Sequence, residues 1–440
     1  MITLRATPKG RIHPLRASLN FLRDPFGSLA RTYERGELVR TRVLGWRVAI
    51  VTSPALAHEV LTGPIEVWHK DRVTKRTGGV FGEGLLLAED EVWRRQRSML
   101  NPGFRHARYE AYAQVMSEEA EATLAGWRDG ARIDLAAEMA AVTLRIAVRT
   151  LFGRGLSPSR VTAVGRAFAE ISEFLAGVLA NSPLPLPRWL PVPAYQRYLA
   201  AVERLDGVVA EVIAARRREG AGGDDLLALL LEARDDAGSG LRDREVRDQV
   251  MTFLLAGHET TSLLLVSALV LLGLHPHERA RVEAEADALG RPPKVGDLLP
   301  RVDAVIAESL RLRPPAWVLS REPTRDVEVG GHRIEAGTVV VISPWALHHD
   351  ARSWGPDAAS FRPDRFGEGS PPPPKGAYMP FGLGGRKCIG ARFAEMEARL
   401  LLARWAQAVR LEPVERRMPK LVPSITARPA GAVWARVRRR

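Results

Sequence analysis

Apolar residues recur every three or four positions along most of the chain, a spacing typical of helices with one buried face. The pattern predicts helices over 110–127, 133–151, 198–218, 242–272 and 304–312. β-Branched residues flank Gly45 in LVRTRVL and WRVAIVT, and VEVGGHRI with TVVVIS repeats this pattern around Gly330-Gly331, which predicts hairpins. We therefore predict a mainly α protein with a small β portion.

Two proline-rich segments interrupt the helical pattern. Residues 181–193 (NSPLPLPRWLPVP) cannot continue a helix and are more apolar than a solvated loop, so we interpret them as a lid. Residues 367–380 (GEGSPPPPKGAYMP) predict a stiff, extended approach to the segment that follows. A third connection, GAGGDD, offers Asp224 or Asp225 as the cap of the next helix.

The composition favours one large domain over residues 1–440, since 46% of the residues are hydrophobic and no repeat or long linker divides the chain. Basic residues interrupt the first 24 positions and leave no apolar core for a signal peptide or a membrane span, so we expect a cytoplasmic protein. The net charge of +13 is dispersed, with one dense run, RVRRR, at the end. We therefore expect no nucleic-acid binding.

The single cysteine, Cys388, lies in the glycine-rich segment FGLGGRKCIG, residues 381–390. A lone buried cysteine is usually a small apolar residue. Here the four glycines let the backbone approach a large planar ligand. Arg386, Lys387 and a helix beginning near Ile389 favour the thiolate over the thiol. A thiolate held in this way suits ligation of a haem iron.

The same segment resembles the haem-binding loop of cytochromes P450, F-x-x-G-x-R-x-C-x-G, with every fixed position matched. The resemblance implies the cytochrome P450 fold, a helical bundle around a buried haem b with Cys388 as the iron ligand. It also implies that Phe381 packs beside the cysteine, that Arg386 pairs with a haem propionate and that Gly390 belongs to the cofactor site.

A polar cluster, AGHETT at 256–261, interrupts the apolar stretch 250–272. Taken alone, it indicates a helix kink in which Thr260 bonds back to a carbonyl one turn earlier. The pair His258-Glu259 does not complete the zinc motif H-E-x-x-H, because Ser262 stands where the second histidine is required.

The cluster resembles the family motif A-G-x-[D/E]-T-[T/S] at every fixed position. The resemblance implies that Ala256 and Gly257 lie beside the haem, with room at Gly257 for O2. It implies catalytic roles for Thr260, whose hydroxyl can hold a proton near O2, and for Glu259, which can bring protons in from solvent.

Glu308 and Arg311 lie three residues apart and resemble the family's E-x-x-R pair, which supports the cysteine loop. Other Glu-x-x-Arg pairs occur in the chain, among them Glu37 with Arg40, Glu91 with Arg94 and Glu278 with Arg281, and such pairs usually lie on solvated helix faces. The Glu308 pair lies between the polar cluster and the cysteine loop, which is its place in the family's order of motifs. The segment FRPDRF at 361–366 follows it, and the resemblance implies that Arg365 completes a structural triad with the pair.

Three further residues resemble the family's propionate contacts. Trp93 and Arg97 lie four apart and resemble W-x-x-x-R, in which both residues contact a propionate. Arg321 follows Arg311 by ten residues, where the family often places another propionate-binding base. A surface cation is the alternative for each arginine. Three arginines would neutralise two buried carboxylates that are otherwise costly to desolvate.

The resemblance implies a monooxygenase that inserts one oxygen atom from O2 into a C–H bond. No flavin-binding or nicotinamide-binding segment remains outside the family domain, so we expect a ferredoxin and a ferredoxin reductase as electron donors. Lys387 and Arg392 are the candidate contacts for an acidic ferredoxin. A peroxygenase and a non-catalytic haem sensor are alternatives, although neither requires the pair Glu259-Thr260.

The residues that the resemblance places in the substrate pocket are mostly apolar, which predicts a large apolar substrate. They are Val80, Phe81, Thr252, Leu255, Ala256, Trp317, Val318 and Ile425. The run PPAWVL at 314–319, with the cysteine loop, resembles bacterial P450s that hydroxylate carotenoid rings, so we expect a β-carotene-type substrate. Fatty-acid hydroxylation is the alternative. We expect a monomer, with Trp189 and Leu190 touching a membrane.

Overall fold

The computed structural model describes residues 12, 14–43, 45–153, 156–181, 191–220, 223 and 225–440. The α-helices are α1 Pro14–Arg23, α2 Pro25–Thr32, α3 Pro54–Thr62, α4 Gly78–Phe81, α5 Asp90–Leu100, α6 Tyr109–Gly126, α7 Leu135–Phe152, α8 Pro158–Asn181, α9 Pro193–Glu219, α10 Leu226–Glu232, α11 Asp243–Leu274, α12 Pro276–Asp287, α13 Pro300–Leu312, α14 Pro344–His348, α15 Ala351–Trp354 and α16 Ala391–Ala408. The strands are β1 Leu38–Val43, β2 Trp46–Val51, β3 Trp68–His69, β4 Arg132–Asp134, β5 Leu319–Pro323, β6 Val327–Val329, β7 His332–Ile334, β8 Val339–Ile342, β9 Val409–Pro413, β10 Leu421–Pro423, β11 Ala427–Pro429 and β12 Trp434–Arg439. The predicted fold class, mainly α with a small β portion, is confirmed.

The strands form four small sheets at the edges of the helical body. The largest has the order β1-β2-β8-β5-β3, in which β2 and β8 run parallel and the other pairs are antiparallel. The others are β4-β12-β9, β6-β7 and β10-β11. The turn between β10 and β11 and the strand β5 both approach the helical core, and both carry residues of the candidate site.

The central helix, α11, is apolar around most of its circumference because it passes through the core. Its buried residues pack against α7, α13 and α16. It is the one described helix that is long and apolar enough to cross a membrane, but 78% of its most apolar window is buried inside the protein. That burial is typical of a core helix.

The predicted helices are all present, with shifted starts. Helices α9 and α13 begin earlier than the periodicity indicated, at Pro193 and Pro300, because proline is favoured in the first turn of a helix. Helix α7 begins later, because Ile133 belongs to β4 and pairs with β12. The side chain of Asp134 then caps α7 by accepting a hydrogen bond from the Ala136 amide at 3.0 Å.

Of the two predicted hairpins, one is confirmed in full and the other in part. The hairpin around Gly45 is formed by β1 and β2. The second hairpin consists of β6 and β7 alone, because the TVVVIS strand, β8, joins the larger sheet beside β2. Asp225 caps α10, as one of the two predicted alternatives. Most of the predicted lid, including Trp189 and Leu190, lies outside the described residues, so their predicted membrane contact remains a prediction.

The segment after α4 lies directly against α11. Gly82 has a φ of +55°, and a Cβ there would lie 2.2 Å from the Asp248 carboxylate. That carboxylate accepts hydrogen bonds from the Glu83 amide and from Arg247, both at 2.9 Å. Only glycine has both the backbone freedom and the space for this approach. The contact holds α4 against the core helix.

We predict that Gly82→Ala destabilises the protein by about 2–4 kcal/mol, because backbone strain and overpacking act together. Gly331→Ala is the matched control, since Gly331 has a φ of +75° and a Cβ added there would have no neighbouring atom within 4 Å. It should cost only about 1 kcal/mol, from backbone strain alone. Urea unfolding of both variants measures the difference, and equal costs would contradict the packing argument.

Candidate functional site

The cysteine loop, residues 381–390, is closed by its own backbone. The Cys388 amide donates to the Phe381 carbonyl at 2.9 Å, and the Lys387 amide donates to the Gly384 carbonyl at 3.1 Å. Gly384 has a φ of +68°, and a Cβ there would lie 2.2 Å from the Leu61 carbonyl oxygen. The loop therefore packs backbone to backbone against α3, which a larger residue at this position would prevent.

The thiol of Cys388 lies deep in the protein but is exposed, so it faces a space within the fold. Burial raises the pKa of the thiol, whereas a hydrogen bond from the Gly390 amide and the charges of Arg97 and Lys387 lower it. Helix α16 begins directly after Gly390. Burial is the larger effect and raises the pKa of the thiol overall, while the Gly390 amide, Arg97 and Lys387 are the groups that favour the thiolate.

The middle of α11 is also open. Ala256 is exposed and Phe253, Gly257 and Thr260 are half-buried, although they belong to a core helix. A Cβ on Gly257 would have a single neighbouring atom within 4 Å, the Cβ of Ala147. These residues therefore border an internal space at the position where sequence analysis placed O2.

The ring of Phe104 links this part of α11 to the cysteine loop. It lies 5.6 Å from the ring of Phe253, measured between centroids. A Cβ on Gly390 would lie 3.8 Å from the same Phe104 ring and 4.0 Å from the sulfur of Cys388. The polar cluster and the cysteine, 128 positions apart in sequence by the difference between 260 and 388, are thereby brought to one region.

The two polar residues of α11 have different partners. Thr260 donates its hydroxyl to the Ala256 carbonyl at 2.7 Å, the back-bonded arrangement that sequence analysis gave as the structural alternative. The carboxylate of Glu259 accepts hydrogen bonds from Thr426 at 2.7 Å and from Ser172 at 3.3 Å. Both residues bonded to Glu259 lie on other elements, and sequence analysis named neither of them.

Arg386 is directed away from the sulfur. Its guanidinium forms an ion pair with Glu89, donates to the Ala88 carbonyl at 2.6 Å and lies 4.9 Å from the centre of the Trp93 ring. The sequence predicts that Arg386 favours the thiolate, but Arg386 is not among the charges that act on the thiol in the structure. The structure places Arg97 nearer, and Arg97 donates to the Lys387 carbonyl at 3.1 Å.

A cluster of buried cations surrounds Arg386. Burial lowers the pKa of Arg321 to about 10, with Arg386 acting in the same direction. Burial, Arg321 and Arg386 together lower the pKa of Lys70 to about 7. Burial also lowers the pKa of Arg97 and Arg386. Burial is the largest cause for each cation, and Glu89 offsets it only in part at Lys70, Arg321 and Arg386.

This cluster suits a ligand with two carboxylates, such as haem with its two propionates. Trp93, Arg321 and Arg386 lie together, as sequence analysis proposed, and Lys70 is an addition. Lys70 belongs to no motif. It reaches the cluster because β3 pairs with β5 in a register of His69 with Glu322, which brings the next residue beside Arg321. The residues present therefore fit the cofactor that the sequence indicates.

Glu308 and Arg311 form a fully buried bidentate ion pair, with distances of 2.6 and 2.7 Å. Arg365 lies 3.6 Å from the same carboxylate. Arg311 also donates to the carbonyls of His348, at 2.6 Å, and Ala358, at 2.7 Å. The three residues that sequence analysis grouped are therefore in contact, and every charge in the group has a partner.

His348 connects this ion pair to the cysteine loop. Burial lowers the pKa of His348 to about 3, so the ring is neutral, and its Nε2 accepts a hydrogen bond from the Met379 amide at 2.9 Å. The Met379 carbonyl accepts from the Gly382 amide at 3.0 Å, inside the loop. Arg311 therefore supports the loop through two hydrogen-bonded residues.

The proposed substrate residues form two groups. Val80, Phe81, Thr252 and Leu255 are buried where α4 meets α11. Trp317, Val318 and Ile425 lie near the β10–β11 turn, where the Trp317 indole donates to the Ser424 carbonyl at 2.9 Å. The side chain of Trp317 is 5% exposed, so protein already covers most of its surface.

Within the described residues, no group of three or more His, Cys, Asp and Glu side chains is arranged to hold a metal ion. His258 is buried against the ring of Phe168, at 5.2 Å, and its Nδ1 bonds to the Leu254 carbonyl. His258 therefore packs within the core.

Comparisons with known proteins extend over nearly the whole chain. The family model described as Cytochrome P450 matches residues 9–433. Cyclooctat-9-en-7-ol 5-monooxygenase of Streptomyces melanosporofaciens is 36% identical and covers 93% of this chain and 90% of its own. Pentalenene oxygenase of Streptomyces avermitilis is 34% identical, with 90% and 89% covered. The structure of retinoic acid bound cyanobacterial CYP120A1 is 27% identical and covers 96% of each chain with a TM-score of 0.85.

We predict that Glu308→Gln lowers the free energy of unfolding by about 3–5 kcal/mol, because the Arg311 guanidinium remains buried and loses its ion pair. Glu415→Gln is the matched control, since the exposed pair of Glu415 and Arg417 contributes about 0–1 kcal/mol. Urea unfolding measures both effects, and haem content reports on the cysteine loop. A similar small loss in both variants would show that the buried pair does not support the fold.

Proposed function

The chain belongs to the cytochrome P450 family, and we propose that it hydroxylates an apolar isoprenoid. Carotenoids of the β-carotene type are one candidate. It is an oxidoreductase of the monooxygenase class. The observation that carries the substrate proposal is the match, over nine-tenths of the chain, to oxygenases whose names specify terpenoids.

The family implies a haem-iron cofactor, and we propose haem b. Cys388 would ligate the iron, and Lys70, Arg97, Arg321 and Arg386 would surround the two propionates. Once bound, the thiolate-ligated haem iron supplies the activation of O2 and the transfer of one oxygen atom to a C–H bond. The three desolvated cations Lys70, Arg321 and Arg386 support this assignment, because two propionates would compensate their charge.

The protein's own part in the reaction is to hold a thiolate, a proton source and a substrate in fixed places. The backbone bonds of the cysteine loop position the sulfur of Cys388. Thr260 holds a hydroxyl at the open face of α11, and Glu259 is the ionisable group next to it in sequence. General acid catalysis requires such a donor within reach of the reacting atoms.

The pocket walls support an apolar substrate. Ala256, Val318 and Ile425 keep accessible surface and carry no charged group, whereas Val80, Phe81 and Leu255 are apolar residues that protein already covers almost entirely. The retinoic acid bound to the structural neighbour is also an isoprenoid, with a long polyene chain. That ligand favours an extended carotenoid as a candidate beside the cyclic terpenoids named by the relatives.

We predict that a productive isoprenoid displaces water from the haem and shifts the Soret band of the purified enzyme. Pentalenene, β-carotene and a long-chain fatty acid should be titrated in parallel, with product analysis after reduction. A shift with either isoprenoid, together with an oxygenated product, supports the proposal. A response to the fatty acid alone would replace it with fatty-acid hydroxylation.

We propose that electrons come from a ferredoxin reduced by its own reductase. Lys387 and Arg392 support this, because both are exposed beside the cysteine loop and could attract an acidic surface. We propose that the enzyme acts as a monomer in the cytoplasm.

We predict that Lys387→Glu slows reduction by a ferredoxin at least fivefold at low ionic strength, and that added salt narrows this difference. Lys420→Glu makes the same charge change at an exposed position outside the loop and should have a smaller effect. Stopped-flow reduction under carbon monoxide measures the rate. Equal rates for the two variants, or no dependence on salt, would exclude docking at the cysteine loop.

A further inference from the structure

The carboxylate of Glu259 is held by groups from two other elements. Ser172 comes from α8, and Thr426 from the turn between β10 and β11. Arg428, on β11, lies 3.7 Å from the carboxylate oxygen that Thr426 also contacts. The acid of α11 is therefore the meeting point of three elements around the proposed substrate pocket.

Thr426 makes the shortest of these contacts. Its hydroxyl donates to Oε1 of Glu259 at 2.7 Å, and the residue is 5% exposed. Ser172 donates to the other carboxylate oxygen at 3.3 Å. With one donor on each oxygen, the carboxylate plane has a defined orientation. A carboxylate on a half-exposed helix face would otherwise adopt several rotamers.

Arg428 is itself fixed in place. Its Nη2 donates to the Ser172 carbonyl at 3.0 Å and to the Ser424 hydroxyl at 3.3 Å. Its Nε is buried without a hydrogen-bond partner. In the part of the chain that the structure describes, Arg428 is the cation within 4 Å of Glu259. A cation held at this place favours one orientation of the carboxylate over others.

We propose that Thr426 and Arg428 are positioning residues for Glu259 and keep its carboxylate oriented for proton delivery at the open face of α11. The inference rests on the oxygenase chemistry stated above and is independent of the substrate class. The turn that carries Thr426 also carries Ile425, a proposed wall of the substrate pocket. Glu259 is thus hydrogen-bonded to the same turn that a substrate would contact. A shift of this turn would therefore change the orientation of the carboxylate.

The test uses the reduced haem-loaded enzyme with carbon monoxide or O2, so it needs no substrate and no electron-transfer partner. Thr426→Val removes the donor at nearly constant volume, Thr426→Ser retains it, and Arg428→Gln removes the charge. Glu259→Ala removes the acid. Thr150→Val is the matched control, because Thr150 is buried and its hydroxyl has no hydrogen-bond partner.

The first measurement is the infrared C–O stretching band of the carbon monoxide complex, which responds to polar groups near the ligand. We expect Thr426→Val and Arg428→Gln to shift or broaden the band in the same sense as Glu259→Ala. Thr426→Ser and Thr150→Val should leave it unchanged. A band that follows the wild type in both Thr426→Val and Arg428→Gln would overturn the proposal.

The second measurement is the rate of reoxidation by O2 in H2O and in D2O. We expect Thr426→Val and Arg428→Gln to change the solvent isotope effect or the rate at least threefold, in the direction of Glu259→Ala. Adding Thr426→Val to Glu259→Ala should then have no further effect. An equal effect of Thr426→Val in the wild type and in Glu259→Ala would show that Thr426 acts independently of Glu259. If Glu259→Ala itself had no effect, Glu259 would not deliver protons and the proposal would fail.

Haem content and the carbon monoxide difference spectrum show which variants are folded. If Thr426→Val loses haem, the infrared band and reoxidation rate of Arg428→Gln still test the proposal, with Thr426→Ser expected to match the wild type. These results do not depend on the isoprenoid titration, so failure of the substrate proposal and failure of the positioning proposal remain distinguishable.

Discussion

The buried ion pair of Glu308 and Arg311 is the interaction on which the candidate site depends. Two fully buried charges are stable only when they are paired and hydrogen-bonded, and here the Arg311 guanidinium also donates to the His348 and Ala358 carbonyls while Arg365 lies 3.6 Å from the Glu308 carboxylate. Arg311 donates to the His348 carbonyl, and the Met379 amide donates to the His348 ring. These two hydrogen bonds connect the ion pair to the cysteine loop. The sulfur is positioned by a network that itself lies outside the open space.

Charge is the second constraint. Lys70, Arg321 and Arg386 are desolvated together, and the lowered pKa values of all three express the cost of that burial. A ligand with two carboxylates relieves this cost. Binding of the cofactor should therefore contribute to the stability of this region as well as to its chemistry.

The contacts of Glu259 show how the catalytic helix is integrated with the rest of the protein. Helix α11 supplies the acid and the threonine, but α8 and the β10–β11 turn determine where the acid points. Its hydrogen bonds and its cation come from elements that also border the proposed pocket. Proton delivery and substrate binding consequently depend on the same elements, α8 and the β10–β11 turn.

The sequence by itself determined the helical pattern, the cysteine loop and the pairs Glu259-Thr260 and Glu308-Arg311, because these depend on periodicity or on short spacings. It did not determine how the strands pair, because β8 was predicted in a hairpin and instead pairs with β2. Only the tertiary structure decided that Lys70 joins the cation cluster, that Arg386 turns to Glu89, and that Glu259 bonds to a residue 167 positions away. Contacts between distant segments leave no local period in the chain, so they arise only when the elements pack.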